Sequence, residues 1–305
     1  MTEQLRSKMM FGALVSDAAA MGTHWIYDPD RLAQIAKSQG GTIAFTPTEL
    51  ANYEGVASFF AHGARKEGAL SQYGESMWLA MRVILASGGQ FDVAAQSAGF
   101  AAHFGPGGAY HGYIDRPTKG ALTRIVDEQT PSGIDDDQLP ALSRLVAVLG
   151  ASLPDASRDA MQITNVNSVA DQYHAVMQVL LERLIGGAQM TAALRAAADG
   201  AHPDIRAPLL DALSTSENCA TTYAQKTGRA CHLPMAGPLM FHILARASSY
   251  RDAVERNILA GGDTCGRSLI LGAAMALVDD VPLEWAVKLK DSDAILTCCA
   301  AVAQA

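Results

Sequence analysis

The sequence has few aromatic residues and no run of positive charge. Phe, Trp and Tyr make up 6% of the 305 residues, whereas alanine is very frequent. This mixture favours close-packed helices over sheets, which are rich in aromatic and β-branched side chains. The net charge is −8, and the Lys and Arg residues are scattered along the chain. Without a basic stripe to neutralise a phosphate backbone, nucleic acid is excluded as a partner.

Long apolar runs and paired cysteines are lacking too. The longest uncharged apolar run, residues 268–278, is too short to span a bilayer. The first 21 residues do not resemble a signal peptide, because Asp17 interrupts their apolar part. The five cysteines show no CxxC spacing, which argues against a disulfide framework and a structural zinc site. We therefore expect a cytoplasmic protein with no membrane partner, and the sequence leaves its oligomeric state open.

Helical periodicity runs through most of the chain, and no linker or charge block divides it. Ser249 and Asp252 predict a capping box, and Asp263 can cap the helix that follows it. Together these features predict an all-α protein with a single compact multi-helix domain over residues 1–305. The apolar periodicity places helices over about residues 5–21, 75–86, 138–149, 168–185, 190–198, 205–222, 250–259 and 264–277, with another beginning near residue 91.

The most specific motif is the segment from residue 260 to residue 267, Ala-Gly-Gly-Asp-Thr-Cys-Gly-Arg. Its glycines allow a sharp turn between two helices, and the N–H groups that open the second helix attract anions. Arg267 would strengthen the binding of a phosphate or carboxylate. Cys265, in the first turn, is a candidate nucleophile with a lowered pKa. The alternatives are a capping role for Asp263, a solvated Arg267 and an inert, buried thiol.

A second group of polar residues surrounds the end of the first predicted helix. Asp17 falls on the apolar stripe of that helix, and His24 and Tyr27 follow shortly after it. A buried acid must be hydrogen-bonded or ligated, so Asp17 is a candidate catalytic group. The alternatives are a hydrogen-bonded anchor at the helix end for Asp17 and a core position for His24.

Glu75 is a third candidate, at the start of an apolar helix that follows Gln72, Tyr73 and Gly74. A carboxylate in the first turn is also favoured by the helix dipole alone, which is the alternative explanation for Glu75.

The glycine-rich segment from residue 103 to residue 118 predicts a loop, and ordered loops of this length are often functional. Here Asp115 and the nearby Lys119 are expected to shape a pocket. A metal site is the weaker alternative, because the spacing of His103, His111 and Asp115 fits no class of site.

Taken in order along the chain, these segments resemble the ADP-ribosylglycohydrolase superfamily, which includes the dinitrogenase reductase-activating glycohydrolases and the J-type crystallins of jellyfish. Residues 12–22 are similar to the family's opening helix with its Gly-Asp stretch. Residues 72–86 are similar to its Thr-Asp-Asp-Thr segment with the apolar helix that follows. Residues 261–277 are similar to its Gly-Gly-Asp-Thr-Asp-Thr segment with a Gly/Ala-rich helix. Residues 18–28, 112–119 and 231–234 look closer to the crystallin-like branch than to the glycohydrolases.

The resemblance implies two Mg²⁺ ions held by oxygen ligands of the Thr-Asp-Asp and Asp-Thr-Asp-Thr segments. This chain departs from both motifs. Residues 72–74 are Gln, Tyr and Gly where the family has Thr, Asp and Asp, and residues 265–266 are Cys and Gly where an acid and a hydroxyl residue should stand. We therefore predict no binuclear site and assign no metal ligand. The remaining cofactor hypothesis is a single Mg²⁺ at a degenerate site of Asp17, Glu75 and Asp263.

By resemblance, the expected function is hydrolysis of an N- or O-glycosidic bond in a small anionic or nucleoside-like substrate such as an ADP-ribose derivative. The alternatives are an inactive ligand-binding or crystallin-like structural protein, and a metal-independent enzyme with different chemistry in the same cleft. A small-molecule substrate is the expected partner. The candidate catalytic residues are Asp17, Glu75, Asp263 and Cys265, and the candidate substrate-binding residues are His24, Tyr27, Tyr73, Asp115, Lys119 and Arg267.

Overall fold

The computed structural model describes residues 2–305, and the regular structure in this range is helical. No strand forms in it, and extended segments meet only in three isolated bridges. None of its helices is long and apolar enough to cross a bilayer. The all-α prediction is confirmed.

The sixteen α-helices of this range are α1 (Thr2–Ala20), α2 (Pro29–Ser38), α3 (Gln72–Ala86), α4 (Val93–Phe104), α5 (Arg116–Val126), α6 (Leu145–Gly150), α7 (Ser157–Gln162), α8 (Ser168–Ile185), α9 (Met190–Asp199), α10 (Pro203–Ser214), α11 (Ala220–Thr227), α12 (Leu233–Arg246), α13 (Tyr250–Ala260), α14 (Thr264–Ala276), α15 (Leu283–Ala286) and α16 (Ser292–Gln304).

Two of the predicted helices are wrong in extent. The helix predicted over residues 205–222 is interrupted between α10 and α11, because side chains there accept hydrogen bonds from backbone N–H groups that a continuous helix would use. Thr215 Oγ1 accepts from the N–H of Glu217, and the Glu217 carboxylate accepts from the N–H of Cys219. The one over residues 138–149 begins as a 3₁₀ turn at Leu139–Leu142 before α6. The predictions did not include α2, α5, α7, α12, α15 or α16.

The centre of the fold is the antiparallel pair α1 and α14. Every residue of α14 is buried, and α1 is buried from Met9 to Ala20. Two glycines let the backbones meet, since a Cβ on Gly272 would lie 2.5 Å from the carbonyl oxygen of Gly12. Tyr250 stabilises the contact, because its hydroxyl donates a hydrogen bond to the same Gly12 carbonyl at 2.5 Å. This packing brings the end of α1 against the beginning of α14.

The predicted caps at the carboxyl-terminal motif are present. Ser249 accepts a hydrogen bond from the N–H of Asp252 at the start of α13, and Asp263 accepts one from the N–H of Gly266 at the start of α14. Gly262, between the two helices, has φ +69, and a Cβ there would lie 2.0 Å from the carbonyl oxygen of Arg229. Only glycine therefore fits this turn.

Candidate active site

Three helix ends meet at the candidate site. The last turns of α1 carry Asp17, α3 begins after its N-cap Ser71, and α14 begins after its N-cap Asp263. Contacts join these ends directly, because Ser71 binds Asp17 and Tyr73, in the first turn of α3, binds Asp263. The structure thus brings together residues that lie far apart in the sequence.

The Asp17 carboxylate is fully buried against the start of α3. Ser71 donates to it twice, from its N–H at 2.8 Å and from its hydroxyl at 2.5 Å. The helix comes this close because residue 74 is glycine, where a Cβ would lie 2.3 Å from Asp17 Oδ2. Burial raises the pKa of Asp17 to about 7, although the hydrogen bonds from Ser71 act to lower it. Asp17 can therefore gain or lose a proton near neutral pH.

Asp263 and Tyr73 form a second buried unit. The Tyr73 hydroxyl donates to Asp263 Oδ2 at 2.7 Å, while Oδ1 accepts the N–H of Gly266 at 2.9 Å. Burial raises the pKa of Asp263 to about 6, against the lowering effect of the Tyr73 hydrogen bond. Burial and the nearby Asp263 raise the pKa of Tyr73 well above its ordinary value, so the phenol keeps its proton.

His24 lies beside this unit and is neutral. Its Nδ1 accepts the N–H of Cys265 at 3.1 Å and lies 3.7 Å from Asp263 Oδ1. Burial lowers the pKa of His24 well below its ordinary value. The backbone N–H of the neighbouring Trp25 donates to the carbonyl of Gly262 at 2.8 Å, which fixes the segment after α1 against the turn before α14.

The structure corrects the chemistry expected of Cys265. Its thiol is fully buried, and burial together with the nearby Asp17 and Asp263 raises its pKa well above the ordinary value. The start of α14 was expected to lower this pKa, but the loss of solvation has the larger effect. Cys265 is therefore a protonated thiol rather than an activated nucleophile.

The role expected of Arg267 is corrected as well. Its side chain is completely buried instead of facing a ligand or solvent. It donates to Asn257 Oδ1 at 2.8 Å, to the Gly261 carbonyl at 2.6 Å and to the Arg229 carbonyl at 3.2 Å. Arg267 thus holds the glycine turn in place, and these donors are not free for an anion.

Glu75 is adjacent to Asp17 but faces other partners. Its carboxylate is paired with Arg65 and lies 3.1 Å from His103 Nε2. Although burial acts to raise it, the hydrogen bonds from His103 and Arg65 hold the pKa of Glu75 below its ordinary value. Glu75 lines a separate cavity of about 150 Å³ together with Lys290. The structure therefore does not join Glu75 to the pair of Tyr73 and Asp263.

The remaining predicted residues differ in their depth in the fold. Tyr27 is half-buried, and burial and the charge of Asp263 raise its pKa to about 12. Asp115 caps α5, where Oδ1 accepts the N–H of Thr118 at 2.8 Å, while the buried Oδ2 has no hydrogen-bond partner in residues 2–305. Lys119 is exposed, with its Nζ 5.3 Å from the centre of the Tyr113 ring.

An aromatic group that the residue-by-residue predictions did not include adjoins the site at His24, whose ring centroid lies 4.2 Å from that of Trp25. The rings of Trp25, Phe59 and Tyr113 touch in pairs, with centroids 5.0 to 5.6 Å apart. Phe59 is 52% exposed, so part of the group faces solvent. The sequence offered one signal for this group: Trp25 and Tyr113 lie within residues 18–28 and 112–119, the segments that look closer to the crystallin-like branch.

The described residues do not fit Mg²⁺. Both oxygens of Asp17 accept hydrogen bonds from Ser71, and both oxygens of Asp263 accept hydrogen bonds from Gly266 and Tyr73. Glu75 is engaged elsewhere. Mg²⁺ requires several oxygen ligands in near-octahedral geometry, so the single-ion hypothesis is not supported, and no catalytic step is assigned to this metal.

Comparison with known proteins agrees with this architecture. A family model described as ADP-ribosylglycohydrolase matches residues 3–305. Crystallin J1A of Tripedalia cystophora is 24% identical over 283 residues, which cover 87% of this chain and 84% of the crystallin. A solved structure described as an ADP-ribosylglycohydrolase-related protein complex superposes with a TM-score of 0.73 at 16% identity, covering 99% of this chain and 98% of the other.

Proposed function

Because the chain belongs to the ADP-ribosylglycohydrolase family, we propose that it hydrolyses a glycosidic bond in a small, anionic, ADP-ribose-like substrate. The observation that carries the proposal is the continuous set of contacts from Asp17 through Ser71 and Tyr73 to Asp263. It holds two carboxylates at the meeting point of three helix ends.

The two acids have the properties that glycoside hydrolysis needs. The reaction requires a group that protonates the leaving atom, a group that deprotonates water and negative charge beside an oxocarbenium-like carbon. Burial places the pKa of Asp17 at about 7 and that of Asp263 at about 6, so both can carry or release a proton near neutrality. Tyr73 orients Asp263 through its hydroxyl. No metal is needed for this assignment.

The aromatic group of Trp25, Phe59 and Tyr113 suits a nucleoside-like substrate. Phe59 and Tyr113 offer ring faces on which a base can stack, and the exposed Lys119 lies next to Tyr113 for a phosphate. Asp17 and Asp263 are fully buried, so a substrate reaches them only when neighbouring groups move. Tyr113 lies in the glycine-rich loop between α4 and α5, and a displacement of this loop would open a path for the substrate.

The experiment is a panel of N- and O-linked ADP-ribose conjugates incubated with the purified chain, with release of ADP-ribose measured by chromatography. Wild type should release it from at least one conjugate. Asp263→Asn should lose the activity. Asp92→Asn is the matched control, because Asp92 caps α4 as Asp263 caps α14 but lies at the surface. Equal rates for wild type and Asp263→Asn would refute the assignment.

A second candidate is a non-catalytic structural or binding role. The specific observation in its favour is that the acids are paired internally and sealed from solvent, and the similarity to Crystallin J1A agrees with it. Thermal denaturation with and without millimolar ADP-ribose separates the two, since a ligand that binds the native state raises Tm. No turnover across the panel and no shift in Tm would favour the structural role.

A further inference from the structure

A buried group of metal-binding side chains lies beside the proposed acids. His24, His62 and Cys265 are all fully buried, and one donor atom of each lies within 4.8 Å of the other two. Within residues 2–305, both ring nitrogens of His62 and Nε2 of His24 lack a hydrogen-bond partner. Buried polar atoms are ordinarily paired, so three unpartnered nitrogens in one place indicate an occupant.

We propose that His24, His62 and Cys265 bind one thiophilic divalent ion, with Zn²⁺ the expected occupant. Two imidazoles and one thiolate are soft ligands that select Zn²⁺ over Mg²⁺, and three protein ligands leave a fourth position open. None of the carboxylates assigned to hydrolysis is a ligand of this ion, and metal binding can be measured whether or not the chain has the proposed activity.

The three side chains bind the ion as two neutral imidazoles and one thiolate. The thiol of Cys265 loses its proton to solvent as the metal binds, because the thiolate is the ligand.

Asp263 is placed to orient His24 around the ion. Nδ1 of His24 accepts the N–H of Cys265, which leaves Nε2 as the ring nitrogen without a partner in the described residues. When Nε2 binds a metal, the imidazole proton resides on Nδ1 and needs an acceptor. Asp263 Oδ1, 3.7 Å from Nδ1, supplies one. The N–H released by Cys265 belongs to the first turn of α14, where helix donors commonly lack intrahelical partners.

The geometric adjustment is small. Zn–N and Zn–S bonds of about 2.0 to 2.3 Å bring tetrahedral ligand atoms to roughly 3.5 Å from one another. The three donors, now within 4.8 Å, must draw in by about 1 Å. His62 can supply this movement, because it lies in the segment before α3 and its ring makes no hydrogen bond in the described chain.

The experiment is metal loading of the full-length chain. Protein treated with a chelator is titrated with Zn²⁺ and, separately, with Co²⁺, whose charge-transfer absorption reports a thiolate ligand. Metal content after desalting is measured by mass spectrometry. The variants are Cys265→Ser and His62→Gln. The control is Cys299→Ser, which alters an equally buried cysteine of α16 that is not part of the group.

Wild type and Cys299→Ser should bind one Zn²⁺ per chain and give a thiolate–cobalt band. Cys265→Ser should lose the band, and both ligand variants should lose at least about 100-fold in affinity, beyond the usual cost of removing an outer-shell partner. Wild-type protein that binds no Zn²⁺ at micromolar concentration, or that shows no thiolate–cobalt band, overturns the proposal whether or not the variants fold. Unchanged affinity in a folded His62→Gln protein also overturns it.

Discussion

Removing the hydroxyl of Tyr73 should weaken the fold more than an ordinary Tyr→Phe change. In Tyr73→Phe, the ring still fills its buried position in α3, but Asp263 Oδ2 loses its hydrogen-bond donor at 2.7 Å. A hydrogen bond to a charged group contributes about 1.5 to 3 kcal/mol, and a buried carboxylate oxygen left unpaired incurs the cost of its desolvation. We therefore expect the free energy of unfolding at pH 7 to fall by about 2 to 3 kcal/mol.

The assay is urea unfolding followed by far-ultraviolet circular dichroism. The control is Tyr173→Phe, because Tyr173 is equally buried but, unlike Tyr73, has no carboxylate partner among the described residues. This control should cost less than about 1 kcal/mol. A double-mutant cycle with Asp263→Asn isolates the pair, since coupling appears only if the two groups interact. Equal losses in Tyr73→Phe and Tyr173→Phe, or a coupling near zero, would refute the reasoning.

Three further predictions concern the turn and the core. Gly262→Ala should destabilise the protein by several times the cost of Gly107→Ala. Both glycines have positive φ, but only at Gly262 would a Cβ meet backbone, 2.0 Å from the Arg229 carbonyl oxygen. Chemical denaturation measures both losses of stability, and similar losses would contradict the prediction. Arg267→Lys should cost about 3 kcal/mol by leaving buried carbonyls unpaired, and an anion should not rescue it in a thermal shift assay, as it would if Arg267 were an anion site. Burial lowers the pKa of His174 from 6.5 to about 4. Because the unfolded chain then binds a proton more readily than the folded one, the folded state is fully favoured above pH 6.5. The free energy of unfolding should fall by about 3 kcal/mol as the pH is lowered toward 4. Unfolding measured across that range should therefore be less dependent on pH in His174→Gln, and an equal slope would contradict the prediction.

The parts of the fold that the sequence predicts well are those with local signals. Helix α8 has the predicted bounds, because apolar residues repeat at helical spacing between Asn167, which caps its start, and Gly186 at its end. Helices α13 and α14 follow from their caps. By contrast, α12 lies in the core with Gly237 and Pro238 in its interior. Such residues usually indicate a break, and burial around most of a helix removes the amphipathic pattern.

The candidate site shows the same division. The convergence of Asp17 and Asp263 follows from the resemblance, because the motifs that carry them are recognisable segments. The environments of Cys265 and Arg267 do not follow, since burial and the positions of distant carbonyls set their chemistry. His62 lies in a segment without periodicity or motif, and only the folded chain brings it beside His24. Local patterns therefore predict which segments meet, while the pKa values and the pairing of their side chains depend on tertiary packing.

The measurement that tests the central claim most directly is the rate of ADP-ribose release in buffer containing a Mg²⁺ chelator, for wild type, Asp17→Asn, Asp263→Asn and the double variant. The account predicts turnover by wild type without Mg²⁺, and a loss of at least about 100-fold in each folded single variant, as expected for a general acid or base. The double variant should lose little more than either single one, since residues that act as a unit are not additive. Activity that requires Mg²⁺, or full activity in folded Asp17→Asn and Asp263→Asn proteins, would contradict it.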